Sequence, residues 1–424
     1  MKTGGRAHEH HASLDARLVA AVRGIRLLQA VSWPARLQDE FLDGWRQGRP
    51  RLPRPEYERQ DWREVRAELE AVRQAADPDD PIGRYLRDTA ESWHLATRLL
   101  DAVGSHRVTA WSARLFGRPV EALPGGGPTN VEAARHFVAI ADELDQELRR
   151  IEPDVVLPAE IVREELQAAV DGLFTDHQVR IELDPDLIAK AAAGPTRIRL
   201  RSHTGFSEYD RNQLLVHEAF VHSLTGLNGR EQPQLKSMAR GSPRTTATQE
   251  GLATFAELIS GAMDIERMKR ISLRILAIDM AIRGADFIEV FAFFVDAGQP
   301  PAESFASAQR IFRGVPLGGG GAFTKDTVYL HGLLAVHTFF RWCLRQRELD
   351  RARRLFAGKM ALEDVGRLAP AFEAGVIAPP RYLPPWMRRA NGLAGVLAFS
   401  LFANRIRLDQ VQAADLILGE GLRD

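Results

Sequence analysis

The chain has 424 residues, 45% hydrophobic and 26% charged, an ordinary globular composition that excludes a collagen-like repeat, a coiled-coil rod or wholesale disorder. Its 56 basic and 56 acidic residues cancel, so the cationic excess by which nucleic-acid binders neutralise phosphate is missing. A single cysteine, Cys343, excludes an internal disulfide and a thiolate zinc site, leaving histidine and carboxylate to hold any metal.

Residues 1–13, with His8, His10 and His11, read as a polar, disordered tail with no apolar stretch of a secretory signal. Helical periodicity then runs through Leu14, Leu18, Val22, Ile25 and Leu28 and ends at a proline-punctuated connector, 48–55. It resumes over 61–148, with breaks at 77–81 and 124–128, and Asn130 opens a helix with Ala133, Phe137, Ile140 and Leu144 on one face. Two segments, 179–183 and 196–201, alternate with period two and are the convincing strands. Helices follow to the C-terminus, apart from a glycine run at 318–321 and a proline-rich turn at 378–385. The expected organisation is an N-terminal helical region 14–175, a central region 176–347 and a C-terminal helical region 348–424. The central region holds strands within 178–201 and helices over 207–225 and 248–262. The longest strongly apolar stretch, 392–403, falls short of the about 20 residues that span a bilayer, so a cytoplasmic protein without membrane or nucleic-acid partners is expected.

The chemistry concentrates after the second strand. Ser207 and Asp210 form a capping-box-like helix start, and the helix contains His217-Glu218-Ala219-Phe220-Val221-His222. In the HExxH helix of zinc hydrolases the histidines stand at i and i+4, about 40° apart, and share one ion. Here they stand at i and i+5, about 140° apart on a regular helix. They can share an ion only if the helix widens to i→i+5 within 217–222, a π-bulge. The alternative is an ordinary i,i+4 pair of Glu218 with His222. Glu250, in Gln249-Glu250-Gly251-Leu252-Ala253, would complete the His₂Glu set of a catalytic zinc, with Glu218 as general base for the water. Glu257 lies two turns further along the same face, as an outer partner or a fallback ligand. For Glu250 the plainer alternative is an acid facing a helix N-terminus.

Several ordered motifs resemble those of the QEGLA-motif proteins, known in bacteria as flavohaemoglobin expression-modulating proteins. Their animal relatives include the microtubule-associated tyrosine carboxypeptidase. The matching stretches are Phe206-Ser207-Glu208, Leu215-Val216-His217-Glu218 with His222, residues 224–229, Gln232-Pro233, residues 249–253, and residues 322–326 with Tyr329 and Gly332. They lie within roughly residues 60–350. The resemblance implies a predominantly α-helical α+β fold with a zincin-like core of the glutamate-ligand type, its small sheet beside the HExxxH helix. It implies one zinc per chain on His217, His222 and Glu250, with Glu218 catalytic, and removal of a C-terminal residue from a peptide or protein tail. Lys325 would then bind the terminal carboxylate and Tyr329 would donate to the oxyanion. A Lys–Asp surface pair and a packed tyrosine are the alternatives. The glycines of 318–321 are expected to form a mobile segment near the cleft. Arg197, Arg199 and Arg201 share one strand face; Arg199 and Arg201, with Arg313, would favour an acidic tail, unless the row is a solvated strand face. His331 is expected to be structural. Two rivals stay open: a regulatory or binding protein that keeps the metal without turnover, and a metal hydrolase of non-peptide amides.

Overall fold

Apolar residues recur at helical spacing through most of the chain, and those stretches fold as helices. The computed structural model describes residues 2–151, 156–185, 187 and 190–403; the last part of the expected C-terminal helical region, 404–424, lies outside the described residues. Among the described residues no helix is long and apolar enough to cross a membrane.

The N-terminus departs from the expected polar tail. A helix runs over Lys2–Val22, and its Leu14, Leu18 and Val22 join the main apolar cluster with residues of the helices Arg63–Ala75 and Pro81–Asp101. His11 is buried, with Nε2 3.3 Å from the Asp80 carboxylate. Asp80 in turn caps the helix Pro81–Asp101, accepting from the Ile82 and Gly83 N–H groups. Asp15 is wholly buried and accepts from the Ser237 N–H at 3.1 Å. Burial pushes its carboxyl up to about 6, against the pull of the Ser237 hydrogen bonds.

Three strands form the sheet: β1 (Arg180–Asp184), β2 (Ala191–Ala193) and β3 (Arg197–Arg201), in the order β1-β3-β2. β1 runs parallel to β3 with Arg180 opposite Arg197, and β2 is antiparallel to β3. Alternation buries Ile198 and Leu200 while Arg197 stays exposed. β2, three alanines, carried no strand signal of its own and is created by pairing with β3. The turn after it packs on the helix that carries His217 and His222, where Ser223 Oγ donates to the Gly194 carbonyl at 2.8 Å.

Behind the site, the helices Thr246–Ile259 and Thr327–Arg345 cross with their backbones in contact. A Cβ on Gly251 would lie 2.3 Å from the Gly332 carbonyl, and one on Gly332 would lie 2.3 Å from the Ala247 carbonyl oxygen. Only glycine fits at either position. Within the run 318–321, where a mobile segment was expected, Gly319 and Gly321 are sites of close approach. Gly319 and Gly320 adopt φ of +86° and +79°, and a Cβ on Gly319 would meet the Gly284 oxygen at 2.1 Å. Gly320 N–H donates to the Ala281 carbonyl, and Ala322 N–H donates to Thr109 Oγ1. A second, aromatic cluster of Trp33, Phe41, Phe287, Phe291, Phe305 and Phe312 lies under this connector.

Two stability measurements follow. Gly251→Ala forces two backbones apart and is expected to cost about 3 kcal/mol in denaturant unfolding, against under about 0.5 kcal/mol for Gly366→Ala, whose added Cβ meets nothing. Asp15→Asn is expected to raise the unfolding free energy at pH 8 by about 2 kcal/mol and to change little at pH 4. The raised folded-state value means that the stability associated with protonated Asp15 is present at low pH and lost as pH rises through about 6.

Candidate metal centre

The helix carrying both histidines starts at Glu208 under a complete capping box: Ser207 Oγ accepts from the Asp210 N–H, and Asp210 Oδ2 accepts from the Ser207 N–H, both at 3.0 Å. It is regular over Glu208–Leu214, π-helical over Leu215–Ser223, and α-helical again to Glu231. The Leu224 N–H reaches back five residues to the Ala219 carbonyl. Widening the turn rotates positions 217 and 222 onto one face, and the two imidazole rings stand 4.8 Å apart.

Glu250 meets them from the helix Thr246–Ile259. Its Oε2 lies 3.5 Å from His217 Nε2 and 3.7 Å from His222 Nε2. One ligand atom from each of the three residues falls within 4.8 Å of the others. Behind His217, Nδ1 lies 2.6 Å from Oε1 of the fully buried Glu257. A carboxylate can only accept, so Nδ1 carries a proton, and Nε2, the nitrogen left for a ligand, faces Glu250. Arg267 grips Glu257 with two hydrogen bonds of 3.0 and 3.1 Å, and Gln213 adds a third. His222 has no such support: its Nδ1 is buried without a partner among the described residues. Glu218, next to His217, is partly exposed and makes no hydrogen bond or ion pair among the described residues.

The electrostatics separate the two imidazoles. Burial works against a charged His217, but the hydrogen bonds to Glu250 and Glu257 outweigh it and raise it to about 10. Burial prevails at His222 and lowers it. Burial would raise both acids, yet the Lys325 ammonium holds Glu250 well below the usual carboxylate range, and Arg267 brings Glu257 to about 2.

The other expected residues lie at varied places. Lys325 is buried and donates to Glu250 Oε1 at 3.0 Å, with its ammonium 5.1 Å from the Tyr329 ring centre. Its neighbour Asp326 does not pair with it at the surface. Asp326 is buried and takes Arg310 through both oxygens, at 2.5 and 2.7 Å. The Tyr329 hydroxyl lies 3.5 Å from Arg310 Nη2. Arg199 reaches Asp184 of β1 at 2.8 Å, Arg197 reaches Glu182 at 3.6 Å, and Arg201 donates to Thr204 Oγ1. Arg313 stands with Arg310 near Asp326 and Tyr329. His331 pairs with Asn130 at 3.3 Å.

Residues that the sequence reading passed over also reach the site. Lys359 comes from the segment after Phe356, and its ammonium feels the charges of Glu250 and Glu218 while burial lowers its pKa. The only hint was that it is one of six lysines in an arginine-rich chain. Arg267, Arg274 and Arg310 carry no signal in the sequence, and only tertiary packing brings them inward.

The family model described as microtubule-associated tyrosine carboxypeptidase matches residues 40–405, beyond the 60–350 over which motifs were legible. A search of curated proteins finds no match. Among solved structures, a metallocarboxypeptidase from Trypanosoma cruzi, "metallocarboxypeptidase 1", is similar at 13% identity and a TM-score of 0.37, covering 92% of this chain and 98% of its own. A provisionally named lipoprotein from Colwellia psychrerythraea is similar at 14% identity and a TM-score of 0.41, covering 80% and 69%. Likenesses this loose carry no argument about the site. The family match, spanning most of the chain and every residue of the cluster, does more: the chain belongs to the microtubule-associated tyrosine carboxypeptidase family.

Proposed function

We propose that the chain is a zinc-dependent carboxypeptidase with a zincin-like core of the glutamate-ligand type. The observation that carries this reading is the convergence of His217 Nε2, His222 Nε2 and Glu250 Oε2 from two helices. The donor set fits the ion: two imidazoles and a carboxylate are a catalytic zinc set. Glu257 behind His217 supplies the acceptor that a ligating imidazole requires. One such ion would be held per chain. When bound, zinc supplies Lewis acidity toward a scissile carbonyl and toward water.

The protein's own groups do the rest. Glu218, adjacent to the ligands and unengaged, takes the proton of the attacking water and hands it to the departing amine. Tyr329, with Arg310 behind its hydroxyl and Lys325 over its ring, offers a donor to the developing oxyanion. Lys325, first read as a ligand for the substrate's carboxylate, is better read as the group that orients Glu250: it engages Oε1 and leaves Oε2 to the histidines. Arg197 and Arg199 are spent on β1, which supports the solvated-face reading of that strand. The substrate class is a peptide or protein tail. A scaffold without turnover has less support, because Glu218 is left free of any structural partner among the described residues.

Metal analysis of chelator-washed, reloaded protein should give about one zinc per chain, lost in Glu250→Ala; a well-folded protein that takes up no zinc would refute the site. Glu257→Gln should weaken zinc binding about 10- to 100-fold in chelator competition. Glu218→Gln should keep the metal and lose peptide cleavage by about a hundredfold or more. Peptides with free C-termini should be trimmed and their amides spared; equal cleavage of both would end the exopeptidase reading.

A further inference from the structure

The helix Ala390–Ala403 carries no charged residue, and the structure leaves one side of it in water. It packs on the helix Thr327–Arg345, with Leu393 and Leu397 buried on its inner side. Its outer side shows Gly392, Gly395, Val396, Ala398, Phe399 and Phe402, all exposed. Val396, Phe399 and Phe402 keep 55%, 74% and 64% of their surface, and their spacing of three residues puts them on one face. A helix that is apolar all round belongs in a core or against lipid, and this one has a core on one side only. No hydrogen-bonding side chain interrupts the outer face between Gly392 and Phe402.

A groove of about 340 Å³ opens beside this helix, lined by Val216, Phe220, Ile259, Trp386, Leu393 and Val396 together with Arg389. Val216 and Phe220 belong to the π-helical stretch, so the apolar surface adjoins the helix that carries His217 and His222. The charge around it has one sign. From Ala374 to Leu408 the sequence holds five arginines and no acid, in a chain whose charges cancel overall. Arg381 is spent on Asp176 at 2.8 Å. Arg388 and Arg389, just before the helix, are exposed, and their side chains make no hydrogen bond or ion pair among the described residues. Arg405 and Arg407 follow the helix in the sequence.

We infer that the outer face of the helix Ala390–Ala403 and the adjoining groove form a docking surface for an anionic lipid membrane. On docking, the helix lies flat in the interface, with Val396, Phe399 and Phe402 among the acyl chains and Arg388 and Arg389 at the headgroups. The stretch 392–403 is too short to span a bilayer, but a helix lying in the interface needs no spanning length. A second copy of the chain fits less well, because a two-fold contact through this face sets arginine against arginine with no acid to answer. A protein partner fits less well too. Stable protein interfaces carry hydrogen bonds, and this face offers no side chain for them from Gly392 to Phe402. The inference stands on this surface alone and does not depend on the peptidase reading.

The test floats the whole chain with vesicles of phosphatidylcholine alone, or of phosphatidylcholine mixed equally with phosphatidylglycerol. The protein should bind the mixed vesicles, more weakly as salt is raised, and leave the neutral ones largely free. Phe399→Ser/Phe402→Ser and Arg388→Gln/Arg389→Gln should each lower the bound-to-free ratio about tenfold or more. All four side chains are exposed, so Tm and far-ultraviolet circular dichroism should match the parent and show that both variants are folded. No flotation of the parent, equal flotation with both kinds of vesicle, or parent-like flotation of either variant overturns the surface. Sedimentation velocity on the same proteins tests the rival occupant. A parent dimer that becomes a monomer in Phe399→Ser/Phe402→Ser assigns the face to a second copy and overturns the lipid assignment.

Discussion

One surplus residue between His217 and His222 governs the site. At α-helical pitch the two imidazoles would diverge by about 140°, and Glu250 could meet one of them at most. The π-helical stretch Leu215–Ser223 absorbs the surplus and turns both rings inward. Such a stretch is rare because its hydrogen bonding and packing are poorer than those of an α-helix. Here it is enclosed on several sides: Ala219 and Val221 are fully buried, and Ser223 is bonded to the turn after β2. The small sheet therefore acts as a brace for the widened helix.

Around this helix the charges are layered. Both acids that approach the histidine nitrogens are backed by a cation, Glu250 by Lys325 and Glu257 by Arg267. These pairings keep both carboxylates ionised although they are taken out of water. His217 receives an acceptor on its far side and His222 does not. The two imidazoles are thus unequal, one fixed by a carboxylate and the other only by packing.

The local parts of this arrangement were legible in the sequence. The capping box, the need for a widened turn, and the inward pair Ile198 and Leu200 each follow from a few adjacent residues. What was hidden depends on partners far along the chain. Three alanines become a strand because β3 offers an open edge, and the N-terminal residues become a helix because Leu14, Leu18 and Val22 find a core. The glycine run reads as freedom in isolation, yet Gly319 lies against the Gly284 carbonyl and Gly320 donates to the Ala281 carbonyl. Arg274, Arg310 and Lys359 gave no signal, because nothing in a helical charge or a loop lysine says which way tertiary packing will turn it.

The crossing at Gly251 and Gly332 has a mechanical meaning. With no side chain between them, the two helices have no cushion to compress and no slack in which to slide. Glu250, one residue before the crossing, and Tyr329, three residues before it, are carried as a single rigid bracket. The glycine of the QEGLA motif works as a spacer of zero thickness that sets the distance between the two arms.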